Sequence, residues 1–321
     1  MMKEKPRIVI ILGPTAVGKT DLSLDLASSF DGEIISADSM QVYRHLDIGT
    51  SKPTREERNR VPHHLIDIVD PDGEFNAALF SRLAEGIIRD RHGKKNIFVA
   101  GGTGLYIRVL TGGIIEGSNP DEDLRRSYRG ELEREDPTAL YERLRELDSK
   151  AADRIHPHDT VRIIRALEIA ELTGEPISEK QEQHRFREAR YDCLKIGLYR
   201  DREALYRRID SRAELMVEAG LVAETRKIID MGYSENLKPM QSLGYRYFIQ
   251  YINGKTTLEE ALRSMKRDTR HYARRQMTWF RAEGDIEWFH PDEAGPVKER
   301  IDTFLKRGRG GPRIAPERLI P

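Results

Sequence analysis

Eight consecutive residues near the start of the chain have the types and spacing of a phosphate-binding loop. They fit the pattern G-x-x-x-x-G-K-S/T at every fixed position, between an apolar segment and a helical pattern. In such a loop backbone N–H groups surround phosphate oxygens, the lysine contacts the terminal phosphate, and the hydroxyl binds Mg²⁺. The sequence therefore predicts a site for a magnesium-bound diphosphate or polyphosphate. Its residues are Gly13, Pro14, Thr15, Ala16, Val17, Gly18, Lys19 and Thr20.

The position of the acidic residue distinguishes this loop from that of an ordinary ATP or GTP hydrolase. Hydrolases commonly carry an Asp at the end of a second strand, where it helps to hold magnesium, but residues 96–100 run into a glycine pair. The acid is Asp38, directly after the predicted strand 33–37. Because ligands bind at the carboxyl ends of parallel strands, we expect Asp38 and Thr103 to lie beside the phosphate loop. A helix or loop cap is the alternative role for Asp38.

Residues 263–281 form a helical pattern with arginines on one face and apolar side chains on the other. At about 100° per residue the two sets lie opposite each other, so one face packs on the core. Arginines suit bidentate contacts to phosphate, and we expect a nucleic-acid backbone along this face; a solvated face is the alternative. The arginines are Arg263, Arg267, Arg270, Arg274 and Arg281, and the apolar residues are Leu262, Met265, Tyr272, Trp279 and Phe280.

The composition limits the classes of protein to which the chain can belong. Its 54 Lys and Arg residues balance 54 Asp and Glu residues, so any nucleic-acid site depends on local clustering. The apolar runs are too short for a membrane span and no secretory signal pattern is present, which predicts a cytoplasmic protein. The single cysteine, Cys193, excludes an intrachain disulfide and a Cys-based zinc site, and the adjacent His63 and His64 are expected to be structural.

Alternating strand and helix patterns predict the fold class. Short apolar segments bounded by turn residues are typical of buried parallel strands, and helical patterns lie between them. We therefore expect an α/β fold, a P-loop parallel sheet flanked by helices. The predicted strands are residues 7–12, 33–37, 96–100 and 193–199, and helices are predicted over 19–30 and 75–91.

The domain organisation follows from a change of composition between the third and fourth predicted strands. Residues 116–190 are rich in charge and helical repeats without a convincing strand, which we interpret as a helical insertion domain. The P-loop core is then 1–115 together with 191–305, helical after residue 201 to about Arg281. The Gly- and Arg-rich tail at 306–321 is expected to be disordered.

An ordered set of motifs runs through nearly the whole chain and is similar to that of the bacterial tRNA dimethylallyltransferases. The P-loop alone is a superfamily signal, whereas the set together is specific. Small departures occur, such as Val161 where the family has a polar residue. The matching segments are GPTAVGKT (13–20), ISADSMQVY (35–43), DIGT (47–50), VPHHLID (61–67), GGTGLY (101–106), RIIRALE (162–168), QSLGY (241–245) and TRHYARRQMTWFR (269–281).

The resemblance implies transfer of a dimethylallyl group from dimethylallyl diphosphate to the exocyclic N6 amine of adenosine 37 in tRNA. The P-loop then holds the diphosphate of the prenyl donor, with Mg²⁺ at Thr20, rather than hydrolysing ATP. Asp38 is the implied base for the amine proton, Thr103 orients the amine, and Arg212 stabilises the leaving diphosphate. The implied partners are the tRNA anticodon stem-loop and dimethylallyl diphosphate, and we expect a monomer.

The residues that the resemblance implies in tRNA binding come from several parts of the chain. Those after the strand 33–37 contact the adenine, which must leave its stack, or its neighbours. Those in the insertion and on the basic helix hold the stem-loop backbone. The set is Asp38, Ser39, Met40, Gln41, Thr103, Arg125, Val161, Arg162, Arg165, Arg267, Arg270 and Arg274.

Three other functions use some of the same features. An adenylate prenyltransferase would perform the same chemistry on a free nucleotide, but the insertion and the basic helix would then lack a purpose. A small-molecule P-loop kinase would phosphorylate an acceptor with ATP and ignore prenyl diphosphate. A non-catalytic RNA-binding regulator would use the P-loop as a nucleotide switch and bind RNA only with ATP.

Overall fold

The computed structural model describes residues 5–114, 121–134, 138–184 and 190–306. These residues divide between two compact units, one on Met1–Leu110 with Arg190–Pro321 and one on Thr111–Ala189. Apart from Lys306, the tail for which disorder is predicted lies outside the described residues. None of the described helices is both long enough and apolar enough to cross a membrane.

The first unit is built on a six-stranded sheet in which every pairing is parallel. The four predicted strands are confirmed, each end within one residue, and two short strands, His63–His64 and Ile286–Phe289, add an edge on either side. In chain order the strands are β1 Arg7–Leu12, β2 Gly32–Ser36, β3 His63–His64, β4 Asn96–Gly101, β5 Asp192–Leu198 and β6 Ile286–Phe289, arranged as β3-β2-β4-β1-β5-β6.

Helices cover both faces of this sheet because its strands are apolar on both sides. Ile8, Ile10 and Leu12 of β1 enter one core cluster, whereas Val9 and Ile11 enter the other. In chain order the helices are α1 Lys19–Ser29, α2 Arg55–Arg60, α3 Ala77–Arg91, α4 Gly104–Gly112, α5 Glu122–Arg134, α6 Ala139–Leu147, α7 Ser149–Ala152, α8 Thr160–Thr173, α9 Ile177–His184, α10 Arg202–Glu218, α11 Leu221–Asp230, α12 Arg246–Ile252, α13 Leu258–Arg281 and α14 Ala294–Lys306.

The basic helix is α13, and it begins five residues earlier than the predicted start at Arg263. Thr257 caps it: its hydroxyl accepts the backbone N–H of Glu260, and the Glu260 carboxylate accepts the backbone N–H of Thr257. This reciprocal pair satisfies two donors that a helix start otherwise leaves free. Ala273 packs in the core cluster with Val9, whereas Met265 and Phe280 pack in the cluster with Ile8.

The second unit has a hydrophobic core of its own, contributed by α5–α8. Its described residues contain no strand. One carboxylate is fully buried in it: Glu168 of α8 pairs with Arg125, at 2.8 Å from Nε to Oε1, and with Arg165. Whether this unit folds separately stays a prediction. The core residues include Tyr128, Leu140, Leu144, Ala151, Ile163 and Leu167.

Candidate active site

The phosphate loop connects β1 to α1 and needs glycine at its first position. Gly13 has a φ of 149°, and a Cβ there would lie 2.7 Å from the carbonyl oxygen of Leu198 on the neighbouring strand. Ala16 and Gly18 also have positive φ, at 63° and 112°. Among the described residues, no protein acceptor pairs with the backbone N–H groups of Ala16, Val17 and Gly18. The loop therefore offers consecutive N–H donors at a helix start, which suits an anion.

Lys19 is held at the base of this loop by two backbone carbonyls. Its Nζ donates to Gly13 O at 3.0 Å and to Pro14 O at 2.7 Å. Burial, followed by the positive charge of Arg212, lowers the pKa of Lys19 from 10.5 to about 7, and the negative charge of Asp38 opposes that shift. An anion on the loop would favour the charged ammonium, so Lys19 can supply the point charge that a diphosphate needs.

Helix α10 supports the loop from outside. Arg208 Nε donates to Ala16 O at 2.9 Å, and Arg212 Nη1 donates to Thr15 Oγ1 at 3.2 Å. Burial lowers the pKa of Arg212, and the charge of Arg208 adds to that effect while Asp38 opposes it. A guanidinium whose charge is poorly solvated gains from a nearby anion. The sequence alone gave no local reason to select Arg212, because its partners are distant in the chain.

Asp38 and Thr103 lie next to each other at the carboxyl ends of β2 and β4. Asp38 Oδ1 accepts the backbone N–H of Met40 at 2.8 Å and that of Gln41 at 3.3 Å, and Thr103 Oγ1 accepts the N–H of Ser39 at 3.2 Å. Within the described residues no hydrogen bond occupies Asp38 Oδ2. The carboxylate therefore combines the capping role with one oxygen that is available for chemistry.

Two cavities meet at Asp38, whereas Thr103 is not among the described residues that line them. The smaller, of about 100 Å³, is lined by Lys19, Thr20, Asp38 and Arg212. The larger, of about 640 Å³, shares Asp38 and Arg212 and extends past Ser39 and Met40. The phosphate loop and the proposed base thus open on connected space, as their places at the sheet edge predict.

Gln41 serves the structure of this region. Its Oε1 accepts the hydroxyl of Ser36 at 2.8 Å, and its Nε2 donates to the carbonyl oxygens of Thr50 and Ser51 at 3.3 and 3.2 Å. Of the three residues expected to contact the base after Asp38, Gln41 is therefore the one held most firmly in the fold. Ser39 and Met40 line the larger cavity.

Gln276 of α13 is a site residue that the sequence analysis missed. It is buried, its Oε1 accepts the backbone N–H of Thr15 at 2.9 Å, and its Nε2 donates to Gly102 O at 2.8 Å. Its position in the sequence could have identified it, because Gln276 falls among apolar residues on the face opposite the arginines. A buried amide on such a face needs polar partners, and here they are the phosphate loop and the loop before Thr103.

The arginine face of α13 carries less free charge than its sequence suggests. Arg270 Nη1 donates to both carboxylate oxygens of Asp210, at 2.9 and 2.8 Å, and the Arg270 side chain is half-buried. Arg267 pairs with Asp268 at 2.8 Å, and Arg263 pairs with Glu259 at 2.8 Å. Arg274 and Arg281 are exposed. Carboxylates from α10 and from α13 itself neutralise part of this row of arginines. The prediction from residues 263–281 considered the arginines and did not include these carboxylates.

The four insertion residues expected to contact tRNA fall into two groups. Arg125 and Arg165 are bound to the buried Glu168, so their charges serve the core of the second unit. Arg162 is 71% exposed beside Asp159, and Val161 is 77% exposed. Arg125 and Arg165 are only 23% and 28% exposed, so the second pair presents more of its side chains to solvent.

Neither histidine of the pair forms part of a metal cluster. His64 Nε2 lies 2.7 Å from Glu33 Oε2, and His63 Nδ1 lies 2.8 Å from Val61 O, so both have structural partners. The described ranges contain no group of three or more His, Cys, Asp and Glu residues placed to hold a metal ion.

Known proteins that are similar to this chain belong to one family. A model of the IPP transferase family matches residues 41–283. The tRNA dimethylallyltransferase 2 of Syntrophus aciditrophicus is 51% identical over 304 residues, which cover 94% of this chain and 98% of that protein. The tRNA dimethylallyltransferase of Desulfatibacillum aliphaticivorans is 48% identical over 306 residues, which cover 95% of this chain and 100% of that protein.

Solved structures give the same result. The crystal structure of the full-length tRNA isopentenylpyrophosphate transferase from Bacillus halodurans is 41% identical with a TM-score of 0.70, and the match covers 94% of this chain and 97% of that one. A eukaryotic dimethylallyltransferase acting on tRNA is 30% identical with a TM-score of 0.80, and the match covers 94% and 81%. The chain therefore belongs to the IPP transferase family, the family of the tRNA dimethylallyltransferases.

Proposed function

We propose that the protein transfers a dimethylallyl group from dimethylallyl diphosphate to the N6 amine of adenosine 37 in tRNA and releases diphosphate. One observation carries this proposal beyond family membership: the acid beside the P-loop is Asp38, which lines the smaller cavity together with Lys19 and Arg212. An acid there suits proton removal from an acceptor that enters through the larger cavity. We further infer that the protein acts in the cytoplasm as a monomer.

The proposed step breaks the allylic C–O bond and forms a bond from the adenine nitrogen to that carbon. The electron pair of the broken bond goes to the diphosphate, which gains negative charge. Loop N–H groups, Lys19 and Arg212 would stabilise that charge because they are fixed before the reaction. The nitrogen loses a proton as the new bond forms, and Asp38 accepts it. A general base of this kind contributes about 100- to 10,000-fold.

The acceptor side of the proposal uses Thr103 and the larger cavity. The Thr103 hydroxyl already accepts the backbone N–H of Ser39, and its own proton can be donated to the acceptor base. The cavity of about 640 Å³ is large enough for an extruded base with the prenyl group. Extrusion of the target nucleotide is what chemistry on a base in structured nucleic acid requires.

The residues present fit a magnesium ion that is bound mainly through the substrate. Thr20 is the second residue of α1 and lines the smaller cavity with Lys19 and Asp38. When bound, Mg²⁺ would neutralise charge on the leaving diphosphate. Thr20 Oγ1 would be its protein ligand, and Ser23, whose hydroxyl is bonded to Thr20 O, would keep the first turn of α1 in place.

For tRNA we infer two contributions, one from each unit. On α13 the exposed Arg274, together with Arg267 and Arg270 where their carboxylate partners leave donors free, would contact phosphates. In the second unit Val161 and Arg162 are the exposed members of the implied set. Arg125 and Arg165 would act there mainly by holding α5 and α8 together.

Mass spectrometry of the reaction products tests the proposal against its rivals. The protein is incubated with Mg²⁺, dimethylallyl diphosphate and unmodified tRNA, and the anticodon loop is examined for prenyl-adenosine. A transcript with guanosine at position 37 serves as the control and should stay unmodified. Prenylation of free AMP but not tRNA would favour the adenylate prenyltransferase, and phosphate transfer from ATP would favour the kinase. RNA binding that needs ATP, without any product, would favour the regulator.

A further inference from the structure

One carboxylate outside the cavities accepts hydrogen bonds from three backbone N–H groups of the segment that follows β2 and from one tyrosine hydroxyl. Glu224 of α11 accepts the backbone N–H groups of three consecutive residues: Asp47 at 3.1 Å, Ile48 at 2.9 Å and Gly49 at 3.1 Å. The hydroxyl of Tyr245 donates to the same carboxylate at 2.6 Å. Hydrogen bonds to an ionised acceptor are stronger than neutral ones, so this group fixes the backbone of the segment.

The backbone packs closely at Gly49 and Gly244, where a side chain would not fit. A Cβ on Gly49 would lie 2.5 Å from the ring of Tyr245, and a Cβ on Gly244 would lie 2.4 Å from Gly49 O. Tyr245 is fully buried. Burial and the charge of Glu224 raise the pKa of Tyr245 well above its ordinary value, so the hydroxyl stays protonated and remains a donor.

The other end of the same segment holds a residue of the site. Ser51 Oγ accepts Arg212 Nε at 2.9 Å, while Arg212 Nη1 reaches Thr15 of the phosphate loop at 3.2 Å. Ser51 has a φ of 47°, in the left-handed region. Gln41 binds the carbonyls of Thr50 and Ser51 from the sheet side. Arg212 is thus oriented by a hydroxyl whose position depends on the backbone of residues 47–51.

We propose that Glu224 is a positioning residue for prenyl transfer, acting through residues 47–51 to hold Arg212 against the phosphate loop. The inference rests on the proposed function, because it assigns Arg212 to the leaving diphosphate. Glu224 is not among the described residues that line either cavity, so it does not touch the substrate. A long guanidinium side chain has many rotamers, and a misplacement of about 1 Å can cost about 100-fold in rate.

Substitution of Glu224 tests the first half of this chain of contacts. Glu224→Gln keeps the size of the side chain but loses the charge and one acceptor oxygen. We expect kcat for prenyl transfer to fall about 10- to 100-fold, with weaker binding of inorganic diphosphate and unchanged tRNA affinity. Glu224→Asp, which keeps the charge, should recover part of the loss. Glu203→Gln removes a carboxylate that is 90% exposed on α10 and should behave as wild type.

A double-mutant cycle with Arg212→Ala tests the second half. If Glu224 acts through Arg212, Glu224→Gln should add little to the loss caused by Arg212→Ala, because coupled residues are not additive. Ser51→Ala removes only the acceptor for Arg212. It should likewise cause no further fall in kcat when it is combined with Arg212→Ala. A Glu224→Gln loss of the same size with and without Arg212 would overturn the inference. So would normal kcat in Glu224→Gln, whereas an inactive wild type would instead overturn the proposed function.

The cycle also covers a failure to fold. Circular dichroism and thermal unfolding are measured for every variant, and if Glu224→Gln is unfolded, Glu224→Asp takes its place and is paired with Arg212→Ala. Additive losses in that pair would show that the segment does not act through Arg212. Non-additive losses, with the tRNA affinity of wild type, would support the positioning role.

Discussion

The side-chain oxygen of Gln276 accepts the backbone N–H of Thr15 at 2.9 Å, while its nitrogen donates to Gly102 O at 2.8 Å. One buried amide on α13 therefore joins the phosphate loop to the loop that carries Thr103. The helix that presents arginines on its outer face thus fixes, on its inner face, the spacing between the two halves of the proposed reaction.

Replacing Gln276 with Glu should weaken both turnover and donor binding. The carboxylate can still accept the N–H of Thr15, but it faces Gly102 O with an acceptor instead of a donor. A buried polar group left without a partner costs about 1–3 kcal/mol of stability, which the two loops relieve by moving apart, and a misplacement of about 1 Å can cost about 100-fold in rate. Steady-state kinetics measures this, with the exposed Gln250→Glu on α12 as control. Wild-type kinetics in Gln276→Glu would show that the bridge is dispensable.

Binding of inorganic diphosphate should depend on pH through Lys19. Burial holds the pKa of Lys19 at about 7 in the free protein, whereas a bound anion favours the ammonium. Below pH 7 the Lys19 ammonium is already charged, so its titration changes the affinity for diphosphate little. Above pH 7 binding must take up a proton, and affinity should fall by up to about tenfold per pH unit. Calorimetry at pH 8 in buffers of different ionisation enthalpy should detect the uptake of a proton.

The lowered pKa of Lys19 also affects how the free energy of unfolding depends on pH. Because the pKa is lowered in the folded state, the unfolded chain binds more protons between pH 7 and 10.5, so this group makes stability rise with pH across that window. Lys19→Arg stays charged throughout and should lose both the proton uptake and this increase. Equal proton uptake in wild type and Lys19→Arg at pH 8 would assign the linkage to another group.

Arg274 should contribute one phosphate contact to tRNA binding. It is exposed on α13, and no carboxylate in the described part of the chain pairs with it. Arg274→Ala should reduce the slope of log K against log salt by about 1, because one fewer phosphate is neutralised. Arg89→Ala, from an exposed position on α3, is the matched control. Arg270 is a poorer choice, since its removal leaves Asp210 unpaired. An unchanged slope in Arg274→Ala would remove this residue from the interface.

Glu168→Gln should destabilise the second unit while leaving donor binding intact. The substitution weakens a buried acceptor that two arginines share, and breaking a buried pair costs about 3–5 kcal/mol. Hydrogen exchange should rise in α5 and α8, whereas inorganic diphosphate should bind the first unit normally. Glu142→Gln breaks an exposed pair with Arg145 and should cost at most about 1 kcal/mol. Loss of diphosphate binding in Glu168→Gln would mean that the two units do not fold independently.

Some features of the fold were predictable because their causes are local. The strands 7–12 and 96–100 are short apolar runs bounded by turn residues, and the P-loop pattern fixes its own backbone shape. The strand Ile286–Phe289 was missed, because its Glu287 interrupts the apolar run. In the fold that carboxylate pairs with Arg300 of α14, at 2.6 Å from Nε to Oε2, which lets the strand be buried.

The parts of the site that escaped prediction depend on contacts between distant residues. Arg270 and Asp210 are 60 positions apart, and Glu224 lies more than 170 positions from the backbone groups that it binds. Such pairs leave no periodic pattern in the sequence. Gln276 differs, since a polar residue on the apolar face of α13 is visible in the sequence. It could have been selected by asking what a buried amide binds.

Asp38 is the residue on which the proposed chemistry depends most. Asn at this position is nearly isosteric, and its Oδ1 can still accept the N–H groups of Met40 and Gln41 as Asp38 does. Packing, capping and both substrate affinities should therefore be kept. What Asp38→Asn removes is the ability to accept a proton from the adenine amine.

Single-turnover prenylation of tRNA by Asp38→Asn, with tRNA and diphosphate binding measured in parallel, tests this directly. We expect the rate to fall about 100- to 10,000-fold while both affinities stay near those of wild type, since the lost interaction belongs to the transition state. A rate within a few-fold of wild type would contradict the account, because Asp38 would then be only a cap.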